Sequence, residues 1–157
     1  FGIVFGGNSV PTRHPMKRIL LILAALSLGA TTVQAQVRFE KGSTDSVRKK
    51  ALESGKLVFI DLYATWCGPC RTMERDVFSR RDVGEFMERW FVAAKYDVDR
   101  STGKALSQQY GVRSIPTYLI FDTAGDLLGR IQGASDAETF MDDLRTILDR
   151  QKQTRER

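Results

Sequence analysis

Residues 57–70 read Leu57-Val58-Phe59-Ile60-Asp61-Leu62-Tyr63-Ala64-Thr65-Trp66-Cys67-Gly68-Pro69-Cys70. Leu57 to Tyr63 is almost continuously apolar and β-prone, the pattern of a strand covered on both faces. Beyond it, two thiols stand three residues apart, and Pro69 between them suits the first turn of a helix, where its missing N–H leaves no bond unmade. Met73, Val77 and Phe78 recur at i, i+4 and i+5, so a helix is expected over Cys67 to Phe78. The unpaired N–H groups and dipole at its start stabilise a thiolate at Cys67. Cys67 is thus the expected nucleophile and Cys70, one turn deeper, the resolving thiol. Cys67 attacks a substrate disulfide, a mixed disulfide forms, and Cys70 displaces the reduced substrate.

Two rival readings of the pair are weaker. Half a zinc site would need two further Cys, His or carboxylate ligands in a closed arrangement, and the expected mature chain has no other Cys or His. A static staple over so short a loop gains little chain-entropy stabilisation. No metal and no cofactor are expected. Asp61, six residues before Cys67, interrupts an apolar strand; desolvation there would raise its pKa until it accepts a proton near neutrality. The competing reading places it at a strand edge facing solvent.

Working outward, Ser43 to Ser54 reads as a weakly amphipathic helix stopped at Gly55. Asp82 to Trp90 puts Val83, Phe86, Met87 and Trp90 on one stripe behind a capping pattern from Ser79 to Asp82. Phe91 to Val98 returns to strand composition, Thr102 to Tyr110 reads as helix, and Gly111 breaks it. Thr117 to Phe121 and Asp126 to Gln132 form a hairpin about Thr123, Ala124 and Gly125. Ser135 to Glu138 is a capping box opening a last helix, with Phe140, Met141, Leu144, Ile147 and Leu148 on its buried face. The order helix, strand, helix, strand, helix, strand, strand, helix implies an α/β protein, a mixed sheet with helices on both faces.

Asp61 through Cys70, then Tyr110-Gly111-Val112-Arg113-Ser114-Ile115-Pro116-Thr117, then Gly133, resemble the three signature stretches of the thioredoxin family. The resemblance covers most of Leu57 to Leu148. It implies the thioredoxin fold, with Ile115-Pro116 as a cis peptide facing the disulfide, the one kind of bond where cis costs little. It also implies that Ile115 and Pro116 present backbone to an extended substrate and keep metals from the thiols. Trp66, Gly68, Pro69 and Gly133 would line the same groove. By the same resemblance Asp61 is the base for Cys70, with Lys95 as its modulating partner. Met73 to Phe78 with Val83 and Phe86, and Asp136 to Phe140, are more similar to the periplasmic C-terminal domain of the transmembrane thiol:disulfide interchange reductase, although helix-core packing explains both stretches equally well.

The amino end points to export. Lys17 and Arg18, the apolar run Ile19 to Leu28, and Val33 and Ala35 before a cut compose a secretory signal peptide, too short for a bilayer span. The expected organisation is an over-translated or non-native extension over 1–15, a signal peptide over 16–35, a thioredoxin-like domain over 36–149 and a basic tail over 150–157. The 157-residue chain less its first 35 leaves 122, enough for one core. The only histidine, His14, lies in the extension, which would exclude His-based triads and dyads from the mature protein.

The net charge of +5 and pI near 9.4 first suggest nucleic acid or an anionic membrane. Arg13, Lys17 and Arg18 precede Gln36, however, leaving 21 basic residues against 19 acidic ones, and residues 36–148 balance at 17 against 17. The charge describes export and a solvated tail, and no nucleic-acid partner is expected. A Gly-Pro dipeptide between the cysteines resembles thioredoxin, whose potential of about −270 mV is reducing. The expectation is a monomeric periplasmic reductase of disulfide-containing exported proteins, not integral to the membrane after cleavage and supplied with electrons by a membrane donor. A disulfide oxidase or isomerase is the alternative, and a passive peptide-binding module is a third.

Overall fold

The computed structural model describes Gly2 and residues 36–156. The expected extension and signal peptide therefore lie outside the described residues, Gly2 apart. Five strands form one mixed sheet: β1 (Phe39–Glu40), β2 (Leu57–Tyr63), β3 (Phe91–Asp97), β4 (Thr117–Phe121) and β5 (Leu127–Gln132). Their spatial order is β1-β3-β2-β4-β5. β3 runs parallel to both β1 and β2, whereas β4 is antiparallel to β2 and to β5. The helices are α1 (Thr44–Ser54), α2 (Gly68–Met73), α3 (Arg81–Trp90), α4 (Ser101–Gln109) and α5 (Ala137–Arg155).

Alternate residues of the central strands feed two separate cores, as the pleat requires. Phe59, Ala93, Tyr118, Ile120 and Ile131 meet Met73, Val83, Met87, Phe140 and Leu144 on the face covered by α2, α3 and α5. Val58, Ile60, Leu62, Val92 and Leu119 meet Val47 and Ala51 of α1 on the other, with Leu106 of α4 packed against them. β2 is thus covered on both sides, as its almost continuous apolar run implied. The sheet is the α/β arrangement expected, with β1 as an added edge strand too short to carry a periodic signal.

The helix expected over Cys67 to Phe78 departs from the α form. α2 ends at Met73 and a π turn occupies Glu74–Phe78. The wider turn keeps Met73, Val77 and Phe78 all in the core.

Two capping expectations are corrected. Ser79 does not cap α3, because its hydroxyl donates to the Arg75 carbonyl, and Arg80 takes the cap position with no side-chain bond. Asp82 instead forms a two-point pair with the Arg80 guanidinium, at 2.8 and 3.0 Å, and accepts from the Val83 amide. α5 is capped by Asp136, whose carboxylate accepts from the Thr139 amide at 2.8 Å, because Ser135 is turned so that its own N–H reaches the Met73 sulfur.

The stripe on α3 is also narrower than expected. Phe86 is half-buried and Trp90 is 41% exposed. Arg89 stacks its guanidinium over the Trp90 ring at 5.2 Å. Trp90 borders a crevice with Leu52, Met141 and Leu148, at the Leu57 end of β2 and away from the cysteines. α5 continues into the basic tail as far as Arg155.

Candidate active site

β2 ends at Tyr63, and Ala64 to Trp66 carry the chain into α2. Cys67 is the N-cap, with extended backbone (φ −74°, ψ 110°), and its sulfur accepts the Cys70 amide at 3.2 Å. The sequence folds this way because Gly68 and Pro69 occupy the first turn, where no intrahelical N–H bond is available to lose. Cys67 and Cys70 are joined by a disulfide bond and only 3% and 5% exposed. They pack on Ala64, with Tyr63, Val98 and Ile115 around them.

Ile115-Pro116 is a cis peptide, as the resemblance implied, and Ile115 borders the cysteine cluster. Gly133 lies at φ +86°, a conformation that strains any residue with a Cβ, and its amide donates to the Pro116 carbonyl at 2.9 Å. The Thr117 hydroxyl donates to the Ser114 carbonyl at 2.7 Å, tying down the other side of the loop. Trp66, 66% exposed, donates its indole N–H to Asp99 at 2.7 Å and stands out beside the disulfide. The structure therefore brings Trp66, Gly68, Pro69 and the cysteines together at the head of α2, and Ile115, Pro116 and Gly133 in the facing loops.

Asp61, on the strand that leads into α2, is only 3% exposed, which excludes the solvent-edge reading. Burial pushes its pKa from 3.8 up to about 7; Lys95 opposes the rise and Glu74 adds to it. Asp61 and Lys95 are register partners on β2 and β3. The Lys95 ammonium is nevertheless bonded to Glu74 and lies over the Tyr63 ring at 4.8 Å. Lys95 acts on Asp61 by charge without a direct bond.

Two residues at this site were not anticipated. Glu74 opens the π turn, and its position four residues after Cys70 was the available signal. Tyr118 is the register partner of Asp61 on β4 and fully buried; a polar-tipped residue two places after Pro116, inside Thr117-Tyr118-Leu119-Ile120-Phe121, could have marked it. A disulfide-linked pair at a helix start, with a buried acid on the strand leading into it, is an arrangement that can run thiol–disulfide exchange.

Comparison with known proteins agrees with this geometry. The family model described as a thioredoxin-like domain matches residues 44–148. The thiol:disulfide interchange protein DsbD of Citrobacter koseri is 31% identical, over 92% of this chain and 29% of its own length. Thioredoxin-2 of Pyricularia oryzae is 39% identical over 55% of this chain and 47% of its own. The chain thus spans less than half the length of these two curated relatives. Among solved structures, a thioredoxin from Thermus thermophilus superposes with a TM-score of 0.64 at 25% identity, covering 72% of this chain and 88% of its own. A Bacteroides thetaiotaomicron protein suggested to be a disulphide-isomerase gives 0.67 at 32% identity, covering 74% and 97%.

Proposed function

The chain belongs to the thioredoxin-like family of thiol:disulfide oxidoreductases, and we propose that it is an exported, periplasmic reductase of protein disulfides. The observation that carries the exchange chemistry is the buried Cys67–Cys70 disulfide at the head of α2, bordered by Ile115 of the cis Ile115-Pro116 peptide, with buried Asp61 on the strand leading into it.

In the proposed cycle the reduced protein docks an extended peptide along Ile115 and Pro116, with Trp66, Gly68, Pro69 and Gly133 lining the groove. The Cys67 thiolate attacks one sulfur of the substrate disulfide; a mixed disulfide forms and the other substrate sulfur leaves as a thiolate. Cys70 then gives its proton to Asp61 and attacks the Cys67 sulfur, releasing the second substrate thiolate and closing Cys67–Cys70. Two electrons have passed to the substrate. A carboxylate with a pKa of about 7 suits this task, since at neutral pH it is available both to accept and to return a proton. Lys95 and Glu74 set that value from opposite directions.

The signal-peptide reading of residues 16–35 supports export, and the likeness to DsbD supports a membrane protein of that kind as electron donor. Among the described residues no helix is long and apolar enough to cross a membrane. The Gly68-Pro69 dipeptide supports the reducing direction. The test is the equilibrium of the Cys67/Cys70 couple against glutathione: a potential near −270 mV is expected, and one near −120 mV would make the protein an oxidant instead. An isomerase, the reading suggested by the Bacteroides neighbour, would sit near −180 mV.

A further inference from the structure

We propose that Tyr118 is a positioning residue for the resolving step, its buried hydroxyl turning its hydrogen toward Asp61 when that carboxylate is charged and away when it is protonated. The inference rests on the reading of Asp61 as proton acceptor for Cys70.

Asp61 sits in the middle of a row that crosses the sheet, with Lys95 as its partner on β3 and Tyr118 on β4. Residues paired in register project to the same face, so the three side chains share one layer under α2 and the π turn. The Tyr118 ring is held by Phe59, stacked at 5.4 Å, and by Phe78 and Phe140 edge-on at 5.8 and 5.5 Å. That packing fixes the ring and leaves one freedom, rotation of the hydroxyl hydrogen about the C–O bond.

Both polar ends are unanswered. The Tyr118 hydroxyl and Asp61 Oδ1 are buried without a hydrogen-bond partner among the described residues. A phenylalanine would satisfy the aromatic packing at Tyr118 with no such penalty, so a hydroxyl kept there calls for a polar reason. The charged and titratable groups that act on Asp61 are Lys95 from β3, Glu74 from the π turn and Tyr118 from β4. Lys95 is already committed to Glu74 and to the Tyr63 ring. Tyr118 is therefore the group left to respond to Asp61 on the β4 side.

It responds as a neutral dipole. Burial, together with the charges of Asp61 and Glu74, drives the phenol pKa far above its ordinary value, so Tyr118 keeps its proton wherever Asp61 titrates. A hydroxyl that can present either its hydrogen or its lone pairs fits both forms of the acid, and in a poorly screened interior its orientation moves the balance between them. The proton passes from Cys70 to Asp61 as the Cys70–Cys67 bond forms and the substrate thiolate leaves; Tyr118 exchanges none.

The test compares wild type with Tyr118→Phe in the reduced, full-length protein, following the Asp61 carboxyl carbon by NMR as pH is raised, and in parallel the pH profile of mixed-disulfide resolution. The hydroxyl and the carboxylate do not bond each other, so what is lost is a dipole acting across a gap, and both midpoints should rise by a few tenths of a pH unit, about 0.5 at most. In an Asp61→Asn background the same substitution should leave the resolution profile where it was. A changed melting temperature with an unmoved Asp61 midpoint means the hydroxyl is merely structural, and overturns the proposal. A wild-type Asp61 that titrates in the ordinary carboxylate range, or wild type with no exchange through Cys67, would count against the functional reading, while the NMR comparison still decides the coupling between the two residues.

Discussion

Lys95 is paired with Asp61 in the ladder between β2 and β3 but bonded to Glu74, which reaches it from the π turn. The buried acid therefore faces a cation whose charge is already partly matched. Removing the competing carboxylate should release that cation. Glu74→Gln is expected to lower the Asp61 midpoint below about 7, since one charge that raises it disappears and the one that lowers it is freed. Carboxyl NMR titration checks this, and an unchanged or higher midpoint would separate Glu74 from the site.

Asp61 also makes stability depend on pH. Its folded pKa, about 7, is above its unfolded value of 3.8, so its contribution is fully present below the unfolded value and is lost as pH rises toward 7. The loss is on the order of 4 kcal/mol for so buried a group. Asp61→Asn should remove that slope, becoming more stable relative to wild type at pH 8 than at pH 4. Urea denaturation of both proteins at the two pH values reads the difference directly.

The two thiols should fail in different ways. Cys70→Ser is expected to accumulate a covalent complex with a disulfide-containing substrate, because attack by Cys67 proceeds and resolution does not. Cys67→Ser should form no such complex and should lose insulin reduction. Non-reducing electrophoresis with mass spectrometry distinguishes them, and equal trapping by both variants would reassign the nucleophile.

Gly103 shows how closely α4 is seated under the turn after β3. A Cβ there would lie 2.1 Å from the Asp97 carbonyl oxygen, backbone that cannot swing aside. Gly103→Ala should therefore destabilise the protein by about 3 kcal/mol, toward the upper end for overpacking. A change below about 0.5 kcal/mol in chemical denaturation would mean the turn yields freely.

The elements that sequence made legible are those whose burial follows a simple period. β2, buried at six consecutive positions, and α5, with Phe140, Leu144 and Ile147 in the core, could be read with little error. Cys67 and Cys70 were legible because their spacing is itself the chemistry, and Pro116 through the resemblance carried by Tyr110 to Thr117. β1 was not, since two residues hold no period. The caps failed because several polar side chains competed for one position: the Ser79 hydroxyl is drawn to the Arg75 carbonyl, the Ser135 hydroxyl is buried without a partner while Asp136 takes the cap, and only the folded backbone decides which oxygen reaches the amide. Glu74 and Tyr118 were hidden for a different reason. They meet Asp61 through a π turn and a strand register, neither of which a single stretch of sequence encodes.

The bond from the Gly133 amide to the Pro116 carbonyl bears on recognition. Proline has no N–H to offer, its carbonyl already accepts one bond, and the Ser114 carbonyl accepts one from Thr117. In the docking proposed above, main-chain pairing would centre on Ile115, a foothold about one residue long. So brief a ladder would read little sequence and would favour a chain already drawn out straight beside its cysteine. Selection would then fall on partners that are locally unfolded, and the protein would tell its clients apart by their slackness rather than by their side chains.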